Sequence, residues 1–267
     1  MRICIFGAGA IGGFMAAYLC AAKNEVSLIA RGANLEAYKK KGITLQHGSN
    51  SIHASPQATN ESREIGPVDL VFVTVKAPAL IDVGSSIGPL LGDGTQVVFA
   101  MNGIPWWYEL GGYKETNIAP DILDSTGILR REISSDRIVG CVVDCPAIVD
   151  APGIILSKRG SEGVFTLGSP KSSKNPNLER ISKCLINAGM QAPIVENFEH
   201  AVWNKLIVNL SRSPLAVLTG VDEMKLAYDE EITAITKEMI IEATQVADSH
   251  GIKLDLDWDR LFKPEDT

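Results

Sequence analysis

The sequence predicts an α/β fold built on a doubly wound sheet, followed by an all-helical C-terminal domain. Three observations predict it. A short apolar run, Arg2 to Phe6, leads without a spacer into Gly7-Ala8-Gly9-Ala10-Ile11-Gly12 and on into an apolar helix, Ile11 to Ala22. Asp69 to Val75 and Gln96 to Met101 are near-continuous apolar runs of the kind that form buried parallel strands, and Ile138 to Val143 is β-like. From about residue 197 strand-like runs stop and helical periodicity takes over.

The first element carries the sharpest chemistry. A strand that runs through G-x-G-x-x-G into a helix is the arrangement that binds a dinucleotide pyrophosphate, so the sheet is read as Rossmann-type. Gly7 makes the tight turn, Gly9 lets the backbone approach the phosphates, and Gly12 lets helix and strand pack closely. Free N–H groups and the positive end of the helix dipole then face the anion. Gly7, Ala8, Gly9, Ala10, Ile11 and Gly12 together are the candidate cofactor loop. An ordinary glycine turn satisfies the motif by itself; the strand before it and the helix after it favour the nucleotide.

The second strand, Val26 to Ala30, follows a turn at Lys23-Asn24-Glu25 and says which dinucleotide. An NAD site would place an acid near this strand end to bond the ribose 2′-hydroxyl. This chain has Arg31, then Gly32, and no acid until Glu36. A guanidinium suits a 2′-phosphate, which it grips with two charge-assisted bonds, so NADP is the expected cofactor. A solvated surface arginine is the plain alternative.

Further along, Ile43 to Leu45 and Ser51 to His53 form a hairpin around His47-Gly48-Ser49-Asn50. Asp69 to Val75 is a buried strand, Pro78 to Leu91 a helix, and Gln96 to Met101 another buried strand. Ile138 to Val143, Ile154 to Leu156 and Val164 to Leu167 are β-like, with Pro152-Gly153 as a turn between two of them. Pro176 to Ala188 has helical periodicity closing at Gly189, and Ala192 to Val195 reads as a last short strand. Phe198 to Arg212, Asp229 to His250 and Trp258 to Phe262 are helical, the second closing at Gly251. The expected domains are 1–196, binding NADP, and 197–267, helical and serving substrate or dimerisation.

Composition narrows the class. The chain has 267 residues, 45% of them apolar, enough for one large domain or two modest ones. A formal net charge of −7 argues against nucleic acid or an anionic membrane as main partner. Cys4, Cys20, Cys141, Cys145 and Cys184 have neither disulfide-framework nor zinc spacing, so reduced thiols, a cytoplasmic location and no metal are expected. The start superficially resembles a signal peptide, but glycines interrupt its apolar stretch where a nucleotide loop needs them. No apolar run reaches transmembrane length.

A nucleotide fold does not by itself give a reaction. Ligands of parallel sheets bind at the carboxyl ends of the strands, where Lys76 follows one run and Asn102-Gly103 another. Lys76 suits a cofactor phosphate or substrate acid, and Asn102 the nicotinamide ribose or the substrate. In the helical part, Lys205, Asn209 and Ser213 are spaced four and eight apart, which would place them on one face of an otherwise apolar helix. A polar groove explains them better than a snorkelling lysine, and Pro214 would break the helix at the groove's end.

Together these residues resemble the ketopantoate reductase (2-dehydropantoate 2-reductase) family. The resemblance rests on the glycine loop, Arg31, Val75-Lys76-Ala77, Asn102-Gly103-Ile104, Pro152-Gly153, and above all Trp203-x-Lys205-Leu206-x-x-Asn209 with Pro214-Leu215-x-x-Leu218-Thr219. It spans essentially the whole chain. It implies a two-domain oxidoreductase with NADPH and a small 2-oxoacid between the domains, reducing the ketone of ketopantoate to pantoate on the route to pantothenate. It further implies that Lys205 bonds the ketone oxygen and protonates the alkoxide, that Asn209 bonds a substrate hydroxyl, and that Asn102 contacts cofactor or substrate. Arg31 and Lys76 would neutralise cofactor phosphate, and Glu242 matches a family acid or else is a helix-surface carboxylate.

The chain departs from the family pattern twice. Ser213 stands where a second asparagine is usual, which points to weaker substrate contact or a different branched 2-oxoacid. The pattern also continues past the position matching Lys263 to a Ser-Met and a Thr-Glu pair, whereas this sequence runs to Thr267. A truncated product or a short member is expected, with activity dependent on what supplies those groups. A paralogue for another 2-oxoacid and a noncatalytic NADP-binding protein remain the alternatives. The oligomeric state is open, a homodimer among the possibilities.

Overall fold

The computed structural model describes residues 1–108, 123–157, 163–169, 175–211, 213–221, 226 and 228–262. Arg212, Lys263 and Thr267, named above, lie outside them. The elements run β1 (Arg2–Phe6), α1 (Ala10–Ala21), β2 (Glu25–Ile29), α2 (Gly32–Lys41), β3 (Ile43–His47), β4 (Asn50–Ala54), β5 (Gln57–Thr59), β6 (Val68–Val73), α3 (Leu80–Ser86) and β7 (Leu91–Ala100). They continue with α4 (Ile128–Glu132), β8 (Ile138–Asp144), β9 (Ala147–Ala151), β10 (Ile154–Ser157), β11 (Val164–Gly168) and α5 (Asn177–Asn187). The helical part is α6 (Phe198–Leu210), α7 (Ser213–Thr219), α8 (Glu230–Ser249) and α9 (Trp258–Phe262).

Seven strands form the main sheet in the order β11-β8-β7-β6-β1-β2-β5, parallel except for β11, which runs against β8. The chain leaves β1 towards β2 and β5, then crosses back to β6, β7 and β8. The order therefore reverses between β1 and β6, and the crevice at that switch point is where open α/β sheets bind ligands. Successive side chains alternate between two cores, one on each face. Ile3, Ile5, Leu70, Phe72, Val98 and Val139 enter the core on the α1 side, and Cys4, Phe6, Val71, Val73, Val97 and Ile138 the core on the α3 side. Two-sided burial is why these strands read as unbroken apolar runs.

A second sheet, ordered β4-β3-β10-β9, covers α1. Gly13 on α1 lies so close to Ile155 on β10 that a Cβ there would stand 2.8 Å from the isoleucine side chain. Sandwiched between two sheets, α1 needs no polar stripe: Gly12, Gly13, Phe14, Met15, Ala16, Ala17 and Leu19 are all buried. This sheet and the antiparallel edge strand β11 are additions to the doubly wound plan, whose six parallel strands stand in the order β5-β2-β1-β6-β7-β8. The Pro152-Gly153 turn joins β9 to β10, with Gly153 at φ +85.

Other expectations need correction. The helix expected at 78–91 is a short α3 flanked by single 3₁₀ turns, because Gly88-Pro89 stops it, and Leu91 already opens β7. The expected strand at 192–195 makes only isolated bridges, Val164 to Gln191 and Leu167 to Ile194, since Pro193 has no N–H to give a ladder. The lysine helix ends at Leu210, and Ser213 starts the next helix.

The helical part is anchored where it begins. Asn197 caps α6 by accepting the His200 N–H at 3.4 Å. Phe198, 4% exposed, lies against Gly140 and Gly168, which are directly paired across β8 and β11. Two glycines facing each other leave a socket in the sheet surface that the ring fills. Phe198→Ala is expected to cost about 3–5 kcal/mol, the usual range for emptying such a site, measured by denaturant unfolding.

Candidate active site

The glycine loop is held by its carbonyls. Gly7 sits at φ +106, a conformation natural to glycine, and its oxygen accepts the Thr74 hydroxyl at 2.7 Å and the Gly9 N–H at 2.8 Å. The Ala8 oxygen accepts the Tyr38 hydroxyl at 2.8 Å. Burial pushes that phenol up to about 12, so it stays a donor. The Gly7 and Ala8 N–H groups bond Ile29 oxygen at 3.0 and 3.3 Å. The first bond of α1 runs from Gly13 N–H to Gly9 oxygen at 2.7 Å. The N–H groups of Ala10, Ile11 and Gly12 therefore have no helical acceptor, no side chain caps this helix, and no acid lies in its first turn. A Cβ on Gly9 would meet nothing within 4 Å. Open space before three donors that have no partner among the described residues fits a pyrophosphate.

Arg31 stands between β2 and α2 as expected, exposed, with its guanidinium 3.0 Å from Asp82 on α3. Lys76 is exposed after β6, on the same edge as the glycine loop.

Asn102 and Lys205 meet through the end of β8. The Asn102 side chain donates to Val143 oxygen at 3.0 Å and accepts the Val143 N–H at 2.9 Å. On the next residue, Asp144 accepts from the Lys205 ammonium at 2.9 Å. The lysine side chain is 19% exposed and the aspartate 69%. Asn102 thus ties the loop after β7 to β8, and only its remaining donor and lone pair face outward. Cys145 follows; burial and then the Asp144 charge push its thiol up to about 12, so it is no thiolate nucleophile. Trp203, on the lysine helix, donates to the Tyr108 hydroxyl at 2.8 Å and secures α6 to the segment after β7. Burial first, and Glu199 behind it, raise the Tyr108 phenol against the opposing effect of that bond.

Asn209 is half-buried on α6, one turn beyond Lys205. Ser213 does not belong to that helix: Pro214 has no N–H for the Leu210 oxygen and its ring crowds that carbonyl, so α6 stops at Leu210 and Ser213-Pro214 opens α7. Glu242 is exposed on α8. Grooves of about 400 and 590 Å³ lie at the opposite, amino-terminal edge of the strands, lined among others by Asn24, His53 and Arg180. They contain none of these residues. Asp144, Thr74 and Tyr38 were not anticipated, although Asp144 and Thr74 stand at strand ends like Asn102. Applying the strand-end rule to 138–143 would have found Asp144.

Comparison with known proteins agrees with this layout. The family model described as ketopantoate reductase PanE/ApbA matches residues 3–172, and the model of its C-terminal region matches 197–263. The chain belongs to the ketopantoate reductase family. It is 36% identical to a 2-dehydropantoate 2-reductase of Mesorhizobium japonicum over 98% of this chain and 81% of that one. A Pyrococcus horikoshii protein of the same name is 27% identical over 96% of this chain and 76% of its own. A solved structure from Ralstonia solanacearum, described as a candidate ketopantoate reductase, superposes with a TM-score of 0.89 at 32% identity, covering 98% of this chain and 81% of the other. Membership makes the chain an oxidoreductase with a Rossmann-type sheet domain and a helical C-terminal part.

Proposed function

We propose that the chain reduces the ketone of a small 2-oxoacid with NADPH, ketopantoate to pantoate being the reaction its relatives' names favour. The observation that carries this reading is the Lys205 ammonium held at the carboxyl end of β8, on the same sheet edge as the glycine loop. When bound, NADPH supplies the hydride. The N–H groups of Ala10, Ile11 and Gly12 hold the pyrophosphate, with Gly7, Ala8 and Gly9 shaping the approach. Arg31 turns from Asp82 to the 2′-phosphate, and Lys76 adds charge. Lys205 bonds the ketone oxygen and delivers the proton that completes the alcohol, stabilising charge that appears only in the transition state. Asn102 keeps the β7 and β8 ends together and offers its outward amide to substrate or cofactor. Asn209 and Ser213 contact substrate polar groups from successive helices.

The division of labour follows at 1–196 for cofactor and 197–267 for substrate, in a cytoplasmic enzyme. Among the described residues no helix is long and apolar enough to cross a membrane. A homodimer through the helical part is supported by Val217 and Leu218 on α7, both more than four-fifths exposed.

NADPH consumption with ketopantoate, beside other branched 2-oxoacids, tests the reading. Turnover selective for ketopantoate is expected; selectivity for another acid identifies a paralogue, and NADPH binding without any turnover removes the catalytic reading. Arg31→Ala is expected to weaken NADPH by about 1.5–3 kcal/mol, the range for bonds to charged groups, and to leave NADH nearly unchanged in a fluorescence titration. Equal losses for both cofactors would take the 2′-phosphate away from Arg31.

A further inference from the structure

The Lys205–Asp144 pair bears on how a 2-oxoacid is oriented, an inference that rests on the reductase reading above. Such a substrate offers an ammonium two acceptors, a charged carboxylate and a neutral ketone. Charge-assisted bonds are roughly twice as strong as neutral ones, so a bare lysine would take the carboxylate. That arrangement puts the proton donor on the wrong oxygen and displaces the ketone from it.

We propose that Asp144 reserves Lys205 for the ketone. Its carboxylate already occupies one of the three ammonium donors at 2.9 Å. A second carboxylate on the same nitrogen would have to sit beside the first and be repelled, whereas a ketone oxygen carries no charge to repel. Two carboxylates on one nitrogen stand so close that the repulsion persists even though Asp144 is partly in water. Asp144 is 69% exposed, so water reaches the rest of its carboxylate. Cys145 next to it stays a neutral thiol and adds no competing charge. Asp144 is thus a specificity-determining residue acting on which substrate group reaches the lysine.

The test is Asp144→Asn, which keeps the shape and an acceptor for Lys205 but removes the charge. Unproductive carboxylate binding then competes with productive binding. Both kcat and KM are expected to fall about five- to tenfold, as for loss of one like-charge contact in a partly solvated site, while kcat/KM holds or rises. A branched alkanoate without a ketone, such as 3-methylbutanoate, is expected to bind the NADPH-loaded variant tighter by a similar factor. Asp144→Glu, which keeps the charge, returns both measurements towards those of the parent chain. A fall in kcat/KM with unchanged alkanoate affinity would make Asp144 a mere positioning group and overturn the proposal, as would no change in either. Lack of turnover by the parent chain on every 2-oxoacid would sink the reductase reading instead; alkanoate affinity measured by calorimetry would still decide the role of Asp144.

Discussion

Replacing Lys205 by alanine is expected to lower turnover about 10²–10⁴-fold, the usual worth of a positioned general acid, and to leave NADPH affinity within about twofold because the glycine loop makes no use of it. The fold tolerates the change. Phe198, Val202, Trp203 and Ile207 bury the helix, and the Trp203–Tyr108 bond stays in place. The lost ion pair costs little, since its aspartate is mostly in water already. Steady-state kinetics with a parallel NADPH titration separates the two quantities. Near-normal kcat in a folded Lys205→Ala protein would remove the lysine from the chemistry, and a parallel collapse of cofactor affinity would mean that α6 shapes the nucleotide site.

The glycine loop gives the second large effect, as a contrast between two alanines. At Gly12 an added Cβ would press on the Gly7 oxygen, stand 2.7 Å from the Thr74 hydroxyl and 3.0 Å from Ile5. Backbone oxygen and a buried isoleucine cannot step aside, so Gly12→Ala is expected to cost about 1–3 kcal/mol or more of stability by overpacking. At Gly9 the Cβ meets only open space, and φ is −85, so no left-handed backbone opposes a side chain. Gly9→Ala is therefore expected to melt within about 1 °C of the parent, since an unstrained surface change is nearly neutral. It nonetheless loses about 1–3 kcal/mol of NADPH affinity, because the methyl stands between phosphate and donors that are then left poorly paired. Thermal melts beside cofactor titrations check both. Similar melting points for the two variants would mean that the roles of these glycines have been misread.

Backbone requirements were the most legible part of this sequence. Gly7 is demanded by its positive φ and Gly12 by its closeness to the Gly7 oxygen and Ile5, and the apolar runs of β1, β6, β7 and β8 announce two-sided burial directly. What the sequence hid was created at long range. The partnership of Asp144 with Lys205, or of Tyr38 with Ala8, joins residues that only the folded sheet brings together. The spacing of Lys205, Asn209 and Ser213 assumes one helix, and there the reason is local instead: Pro214 cannot bond the Leu210 oxygen, so the helix ends at Leu210 and Ser213 opens the next. Asn102 stands just past the end of β7, but half of its amide serves β8. Position at a strand end is visible in sequence; where a side chain spends its hydrogen bonds is not.

The small sheet over α1 also has a temporal meaning. Its β3 and β4 are made early, but β9 and β10, whose Ile155 closes on Gly13, are synthesised only after most of the main sheet. Until then α1, apolar nearly all round, keeps part of that side uncovered on the ribosome. Closing a loop of that length is a slow, non-local step, and exposed apolar surface during such a wait is what invites aggregation. A helix made before most of its cover is thus among the last parts to be sealed, and a half-made chain, rather than the finished enzyme, is the species that most needs a chaperone.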